Sequence, residues 1–496
     1  MAKFNANNIN SVENYAGGKA YGETPAFELI SILLTSFVKD QYYRSSNETL
    51  TRLKNLIKTI NDKKFIAKAA IYARNEFGMR SITHVVAGEL ASIVKGEPWM
   101  KEFFNMVVRR PDDMTEIVSY YLKDGKKPIP NSMKKGLSKA FAKFDEYQLA
   151  KYKSSNKDIS LVDLVNLVHP APVERNKIAL EKLIKNELKS KDTWEVQQTQ
   201  AGQKAKTEEE KKELKKQSWV SLVKEKKIGY FALLRNLRNI LEQAPEVIDE
   251  AVAMLKDEKL IKKSLVLPFR YIKALAEVEQ LNAEGTRKVI VAINEAIDIA
   301  CKNVPKLDGK TLVVLDHSGS MGSDLADNVG IASLFGVMIA KSNDADCMIF
   351  GNDAKYVPVN PLDSTLTTTQ RIVGYNQGGG FYTNSKNKKG YEVGHGTDFH
   401  SIFKTINKKY DRIVIFSDMQ GWVGYSTPVK EFNAYKKKFD ANPHVYSIDL
   451  AGYGTLQFPQ HQVYCLAGFS EKIFSIMEIL EKDRESLIKE INKIEL

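Results

Sequence analysis

Near residue 306 the hydrophobic pattern of this chain changes character, and that change limits the folds open to it. Upstream, segments such as "ETLTRLKNLIKTINDKKFIAKAAIYARNEF", "SLVDLVNLV", "YFALLRNLRNILEQ" and "PEVIDEAVAMLKD" repeat apolar residues every three or four positions, the period of a helix with one buried face. Downstream, "TLVVLD", "CMIFG", "RIVIFSD" and "VYSIDL" are short, continuous, β-branched runs, separated by helical stretches such as "DNVGIASLFGVMIAKS" and "FHSIFKTINKK". Strands that are apolar on both faces and alternate with helices belong to a parallel sheet covered on both sides. The sequence therefore predicts α plus α/β: a helical array over about 1–305 and a parallel-sheet domain over about 306–496.

The helical part breaks at Pro and Gly, in "KGEPW", "KDGKKPIPNS" and "HPAPVE", which punctuate helices. Many helices of about 10–18 residues joined by short breaks suggest a solenoid or irregular array. No exact repeat recurs, so any repeats are degenerate. Residues 203–216, "QKAKTEEEKKELKK", are almost wholly polar and read as an exposed helix or insert.

Charge divides at the same place. The formal net charge is +12. Residues 306–496 carry 21 Lys+Arg against 22 Asp+Glu, and residues 1–305 carry 52 against 39. The whole basic excess lies in the helical part, which suits a polyanion partner, most simply nucleic acid. With 43% hydrophobic residues the chain can build real cores, which excludes wholesale disorder. Three scattered cysteines, Cys301, Cys347 and Cys465, read as small buried hydrophobes rather than a disulfide framework or a zinc site. No run approaches the roughly 18 apolar residues of a membrane span, and the first residues have no apolar signal core. A cytoplasmic protein without membrane partners, and a monomer, is expected.

The densest chemistry lies in "VVLDHSGSMG". Asp316, Ser318 and Ser320 leave a predicted strand on a Gly-containing turn, so alternate side chains can converge. Asp418 leaves a second strand in "FSDMQG", and Thr397 lies in the loop "GHGTDF" before a helix. In doubly wound sheets, ligands bind beyond the carboxyl ends of strands. Two carboxylates and three hydroxyls make an all-oxygen, weakly charged donor set, which suits Mg²⁺ or Mn²⁺. His317 and His395 fall in the intervening positions and point away. The competing reading is that these hydroxyls only cap helices.

This arrangement resembles the metal-ion-dependent adhesion site of von Willebrand factor A domains, and all five positions match. An A domain after a long basic helical array resembles in turn the Ro autoantigen family, the TROVE-domain RNA-binding proteins. "NYAGGKAYGETPAFELISILLTSF", "RRPDDMTEIVSYYL", "KKGLSKAFAKFDEYQLAKY", "LVNLVHPAP", "TWEVQQTQAG" and "FALLRNLRNIL" are similar to family segments, in family order. The resemblance covers nearly the whole chain. It implies a ring of HEAT-like helical repeats closed by a Rossmann-like A domain. It also implies a basic outer surface for small structured noncoding RNAs (Y-RNA-like) and a hole for the single-stranded 3′ ends of misfolded RNA, hence a ribonucleoprotein of RNA quality control or processing. Lys151 and His169 fall where the family places a lysine and a histidine that contact Y RNA. The family's nearby arginine is replaced here by Ser155. Lys135, Lys139 and Lys143, at four-residue steps, predict a basic strip on one helix face opposite apolar Leu137, Phe141 and Phe144; Lys153 extends the basic segment. A histidine before a proline is also a common cap or turn residue, and Arg109 and Arg110 beside an acidic pair read equally as structural ion pairs.

No nucleophile–base motif stands out, and Gly378, Gly379 and Gly380 in "GYNQGGGFY" lack the Lys-Ser/Thr of a phosphate loop. The chain is expected not to be an enzyme. A second reading makes the helical part a protein scaffold and the metal site a receptor for an acidic partner residue. The two readings combine if the site recruits a protein such as an exoribonuclease to bound RNA.

Overall fold

A computed structural model describes the chain except for residues 1–10, 15–18, 23, 36–45, 124, 126–127, 154–157, 190–193, 265, 267, 302–303, 305, 377–391, 422, 424–427, 452, 454, 458–462, 468–476 and 478–485. Ser155 and Gly378–Gly380 thus lie outside the described residues. Two compact units result: Pro25–Gln197 with Glu485–Leu496, and Met1–Thr24 with Gln198–Arg484. The division falls inside the helical stretch rather than at the change of texture. The final helix, Ser486–Asn492, packs on Lys63–Glu76, and the Lys68 amine donates to the Asn492 carbonyl at 2.6 Å.

The first unit is helical. Three of its described helices begin where a side chain accepts from otherwise orphaned N–H groups. Asp62 accepts from Phe65 N at 2.9 Å, and Asp145 with Gln148 and Ser160 with Asp163 form reciprocal capping boxes. Helix Trp99–Val107 crosses Asn131–Ala140 closely at Gly136, where a Cβ would stand 2.5 Å from the Lys101 carbonyl oxygen. One ion-pair centre organises this unit. Asp113 is fully buried and accepts from Arg74 at 2.8 Å, Arg80 at 2.9 Å and the Arg109 and Arg110 amides at 2.9 and 3.0 Å. Arg80 and Arg110 also pair with Asp112. The arginine-rich "RRPDD" segment therefore contributes to a structural ion-pair network.

The second unit continues with helices, including Glu208–Lys224, capped by Thr207 and carrying three glutamates in its first turn. The polar 203–216 segment is thus largely an exposed helix. The α/β part contains strands β1 (Ser11–Glu13), β2 (Lys19–Gly22), β3 (Thr311–Asp316), β4 (Asp346–Phe350), β5 (Ala354–Val357), β6 (Arg412–Ser417), β7 (His444–Asp449), β8 (Thr455–Leu456) and β9 (Val463–Ala467). The main sheet has the order β5-β4-β3-β6-β7-β9 and is parallel except at the β5 edge. Every residue of β3 and β6 is buried, the reason their sequences are apolar without alternation. Helix Asn328–Asn343 covers β3 on one face. On the other, Leu312, Val314, Ile413 and Ile415 pack with Phe399, Phe403, Phe432 and Tyr435. The N-terminus joins this unit: β1 pairs with β2, β2 with β8, and the Asn14 amide donates to the Gly421 carbonyl at 2.6 Å. Cys301 and Cys347 are buried free thiols, pushed up to about 12 by desolvation; the Cys465 side chain lies outside the described residues. Among the described residues no helix is long and apolar enough to cross a membrane.

Candidate metal centre and basic face

The chain leaves β3 toward β4 on one side and later returns as β6 on the other, so the strand order reverses between β3 and β6. Asp316 ends β3 and Asp418 follows β6, which places both carboxylates at the carboxyl edge of this switch point, where such sheets open a crevice. Asp316, Ser318, Thr397 and Asp418 are each at most 1% exposed, and Ser320 is partly buried.

Backbone hydrogen bonds gather the loops that carry them. His317 N donates to the Phe350 carbonyl at 2.8 Å and Gly319 N to the His395 carbonyl at 2.9 Å. Asp398 N donates to the Gly351 carbonyl at 2.7 Å and Val423 N to the Thr397 carbonyl at 3.3 Å. The Thr397 loop is therefore tied to the Asp316 loop, the end of β4 and the segment after Asp418. Gly322 closes the first loop at φ +82°, and a Cβ there would collide with Asp327. Asp327 in turn accepts from Ser323 N and Asp324 N at 3.0 and 3.1 Å.

Asp316 accepts from Ser318 N at 2.8 Å and from the Ser417 hydroxyl, and the Ser318 and Ser320 hydroxyl oxygens lie 3.3 Å apart. Asp418 Oδ1 accepts from Gln420 N at 3.1 Å, whereas its Oδ2 is buried without a hydrogen-bond partner. A buried, unpartnered carboxylate oxygen is costly. Burial pushes Asp316 up to about 7, helped by the negative charge of Asp418, and pushes Asp418 up to about 6. Two desolvated like charges with hydroxyls beside them fit a small hard cation, which would supply the missing positive charge. The capping alternative fails for Ser318 and Ser320: the short turn Gly319–Met321 has no side-chain cap, and the helix Asn328–Asn343 starts further on. Among the described residues no group of three or more His, Cys, Asp or Glu side chains is placed to hold a metal, so this site depends on its hydroxyls. His317 is buried, and desolvation lowers it to about 3.

Two supporting residues were not singled out from the sequence. Ser417 links β6 to Asp316. Buried Asn376 donates to the His317 carbonyl at 3.0 Å and the Gly394 carbonyl at 2.9 Å, and accepts from Val393 N at 2.9 Å. An asparagine 59 residues from one of the loops it ties and 18 from the other carries no local signal of that role.

The predicted basic residues separate into two groups. The three-lysine strip does not form, because the helix ends at Ala140 and Phe141–Lys143 is a tighter turn. The Lys143 amine points inward to the Asn105 and Val108 carbonyls, capping the end of Trp99–Val107, and burial lowers it to about 8. Lys153 donates to the Leu188 carbonyl at 2.9 Å. Lys135 and Lys139 are exposed, with Lys139 paired to Glu102 at 2.6 Å. Lys151 is exposed and lies over the Tyr152 ring at 5.7 Å. His169 is exposed and ends helix Leu161–Val168 in the left-handed region at φ 46°, its N–H bonded to the Val165 carbonyl at 2.9 Å. It is a cap residue whose ring remains available. Leu137, Phe141 and Phe144 are buried, as predicted.

The TROVE domain matches residues 29–218 and 212–312, more than half of the chain. This chain belongs to the TROVE-domain family. It is 22% identical over 245 residues to "RNA-binding protein RO60" of Deinococcus radiodurans, covering 45% of this chain and 43% of that protein. It is 25% identical over 300 residues to "Telomerase protein component 1" of Mus musculus, covering 45% of this chain and 11% of that protein. The chain thus spans less than half the length of these curated relatives. Its fold is similar to the crystal structure of the Deinococcus radiodurans RO (RSR) protein, with a TM-score of 0.60 and 16% identity over 92% of this chain and all of that one. The family and the helical-plus-sheet fold expected of a Ro protein are those found.

Proposed function

We propose that this TROVE-family chain binds small structured, Y-RNA-like noncoding RNA through its basic helical part, and acts by binding rather than catalysis in RNA quality control or processing. The observation that carries the reading is coincidence of extent: the TROVE match ends at residue 312, and the entire basic excess lies within residues 1–305. The RNA-binding protein of Deinococcus radiodurans supports it by similarity. The exposed contact set is Lys135, Lys139, Lys151 and His169. Single-stranded 3′ ends of misfolded RNA are a second ligand class in this reading, and the cytoplasm its compartment.

The sheet-edge centre is the second part of the proposal: an adhesion-type site of a von Willebrand factor A domain. Asp316, Ser318, Ser320, Thr397 and Asp418 would hold Mg²⁺ or Mn²⁺. The buried, unpartnered Asp418 oxygen supports this. Such a cation can accept a carboxylate from a protein partner, for instance an exoribonuclease.

The test is a salt titration of a labelled RNA hairpin on the full chain. Log affinity should fall linearly with log salt, by about 0.9 per phosphate contact on a duplex. Lys151→Ala should flatten the slope by about one contact. A salt-independent affinity, or none, sinks the RNA reading and leaves the helical part as a protein scaffold.

A further inference from the structure

A pocket lies between helices Tyr230–Arg235, Leu237–Gln243 and Phe269–Glu279. Its volume is about 300 Å³, the lower end for small-molecule sites and enough for one small ligand unit. Three observations define its chemistry. Phe231 is 40% exposed, unusual for so large an apolar ring. The guanidinium carbons of Arg235 and Arg270 both lie 5.8 Å from the centre of that ring. Arg270 also lies 4.8 Å from the Phe269 ring, and Lys273 adds a further charge at the wall.

The charges are unevenly balanced. Arg238 is matched by Glu242 and Glu277 at 3.3 and 3.5 Å. No carboxylate of the described residues forms an ion pair with Arg235 or Arg270. Burial and the neighbouring Arg235 charge both disfavour the Arg270 cation. Two guanidinium groups beside one partly exposed aromatic ring suit an anion with a planar group attached. Guanidinium forks bind phosphate oxygens in pairs, and aromatic and guanidinium planes both stack on nucleobases.

We propose that this pocket binds one nucleoside monophosphate unit, its phosphate between Arg235 and Arg270 and its base on the Phe231 side, either as a free nucleotide or as one residue of a single strand. The site is independent of Lys151 and His169 and deepens the RNA-binding reading by adding a single-nucleotide contact.

The full chain is titrated with UMP, uridine, a single-stranded hexauridylate and an RNA hairpin. Saturable binding of UMP or hexauridylate, but not of uridine, is expected, and the stronger of the two identifies the source. Arg235→Gln and Arg270→Gln should each weaken it roughly 5- to 100-fold, the size of one stacked or ion-paired contact. Phe231→Leu, which keeps both charges on an exposed position, should weaken it as well, and unchanged circular dichroism confirms that each variant is folded. Equal binding of UMP and uridine, or variants that bind like the parent, overturns the proposal. Hairpin binding without UMP or hexauridylate binding overturns the pocket alone. Pocket binding without hairpin binding upholds the pocket and refutes the structured-RNA reading.

Discussion

The buried carboxylate pair should make the metal-free protein lose stability as pH rises, and Asp316→Asn should remove most of that loss. A carboxyl raised in the fold from 3.8 to about 7 favours its neutral form there. Its stabilising contribution is complete below about pH 4 and is lost as pH rises through 7. At roughly 1.4 kcal/mol per tenfold change in the acid equilibrium, the whole contribution is on the order of 4 kcal/mol, of which about 2 kcal/mol is lost above pH 5.5. That last part should lower the melting midpoint by a few degrees between pH 5.5 and 8.5. A divalent cation reverses the preference by binding the charged pair, and at one hundred times its dissociation constant adds about 2.7 kcal/mol. The assay is thermal unfolding across that range, with chelator or with Mn²⁺, for the parent and Asp316→Asn. The asparagine keeps an oxygen for Ser318 N and turns its amide N–H toward the Ser417 hydroxyl oxygen, but removes one of the two charges. With chelator the variant should be the more stable at pH 8.5, and Mn²⁺ should stabilise only the parent. Identical pH profiles, or an undiminished Mn²⁺ gain in Asp316→Asn, would refute the reasoning.

Other perturbations separate support from contact. Asp113→Ala leaves Arg74 and two helix-start amides without their buried acceptor and should cost about 3–5 kcal/mol in urea unfolding; hydrogen bonding to His84 and the Arg74 charge hold the Asp113 carboxyl well below its usual range, so this stabilisation is present above about pH 4 and is lost as pH falls further. Asn376→Ala should weaken Mn²⁺ binding by about 10–100-fold in calorimetry while the fold persists, because the loops that carry Thr397 and Asp316 lose their tie. Lys143→Met should lower stability by about 1–3 kcal/mol through two abandoned carbonyls and leave the salt slope of hairpin binding unchanged, the reverse of Lys151→Ala.

Much of this protein was legible without coordinates where the signal is local. Continuous apolar runs located β3, β4, β6 and β7, because the middle of a strand buried on both faces has few polar positions. The Asp-x-Ser-x-Ser spacing and the second strand-end aspartate located the candidate centre, because strand ends of a doubly wound sheet share one edge. Helical period located the helices, including the polar one at Glu208–Lys224. Decisions made by contacts between distant residues were not legible. Helical spacing put Lys143 on a solvent strip, but an early helix end turned its amine onto the carbonyls of another helix. Ser486–Asn492 follows the sheet in sequence yet packs with the first helical unit. Asn376 and Ser417 acquire their ties, and Arg235 and Arg270 their shared place beside Phe231, only when segments tens of residues apart come together. Sequence alone determined which elements form, because backbone period and burial are local and repetitive. Tertiary structure decided which polar groups remain available for ligands, because a lysine, an asparagine or an arginine is committed or free according to neighbours supplied by distant segments.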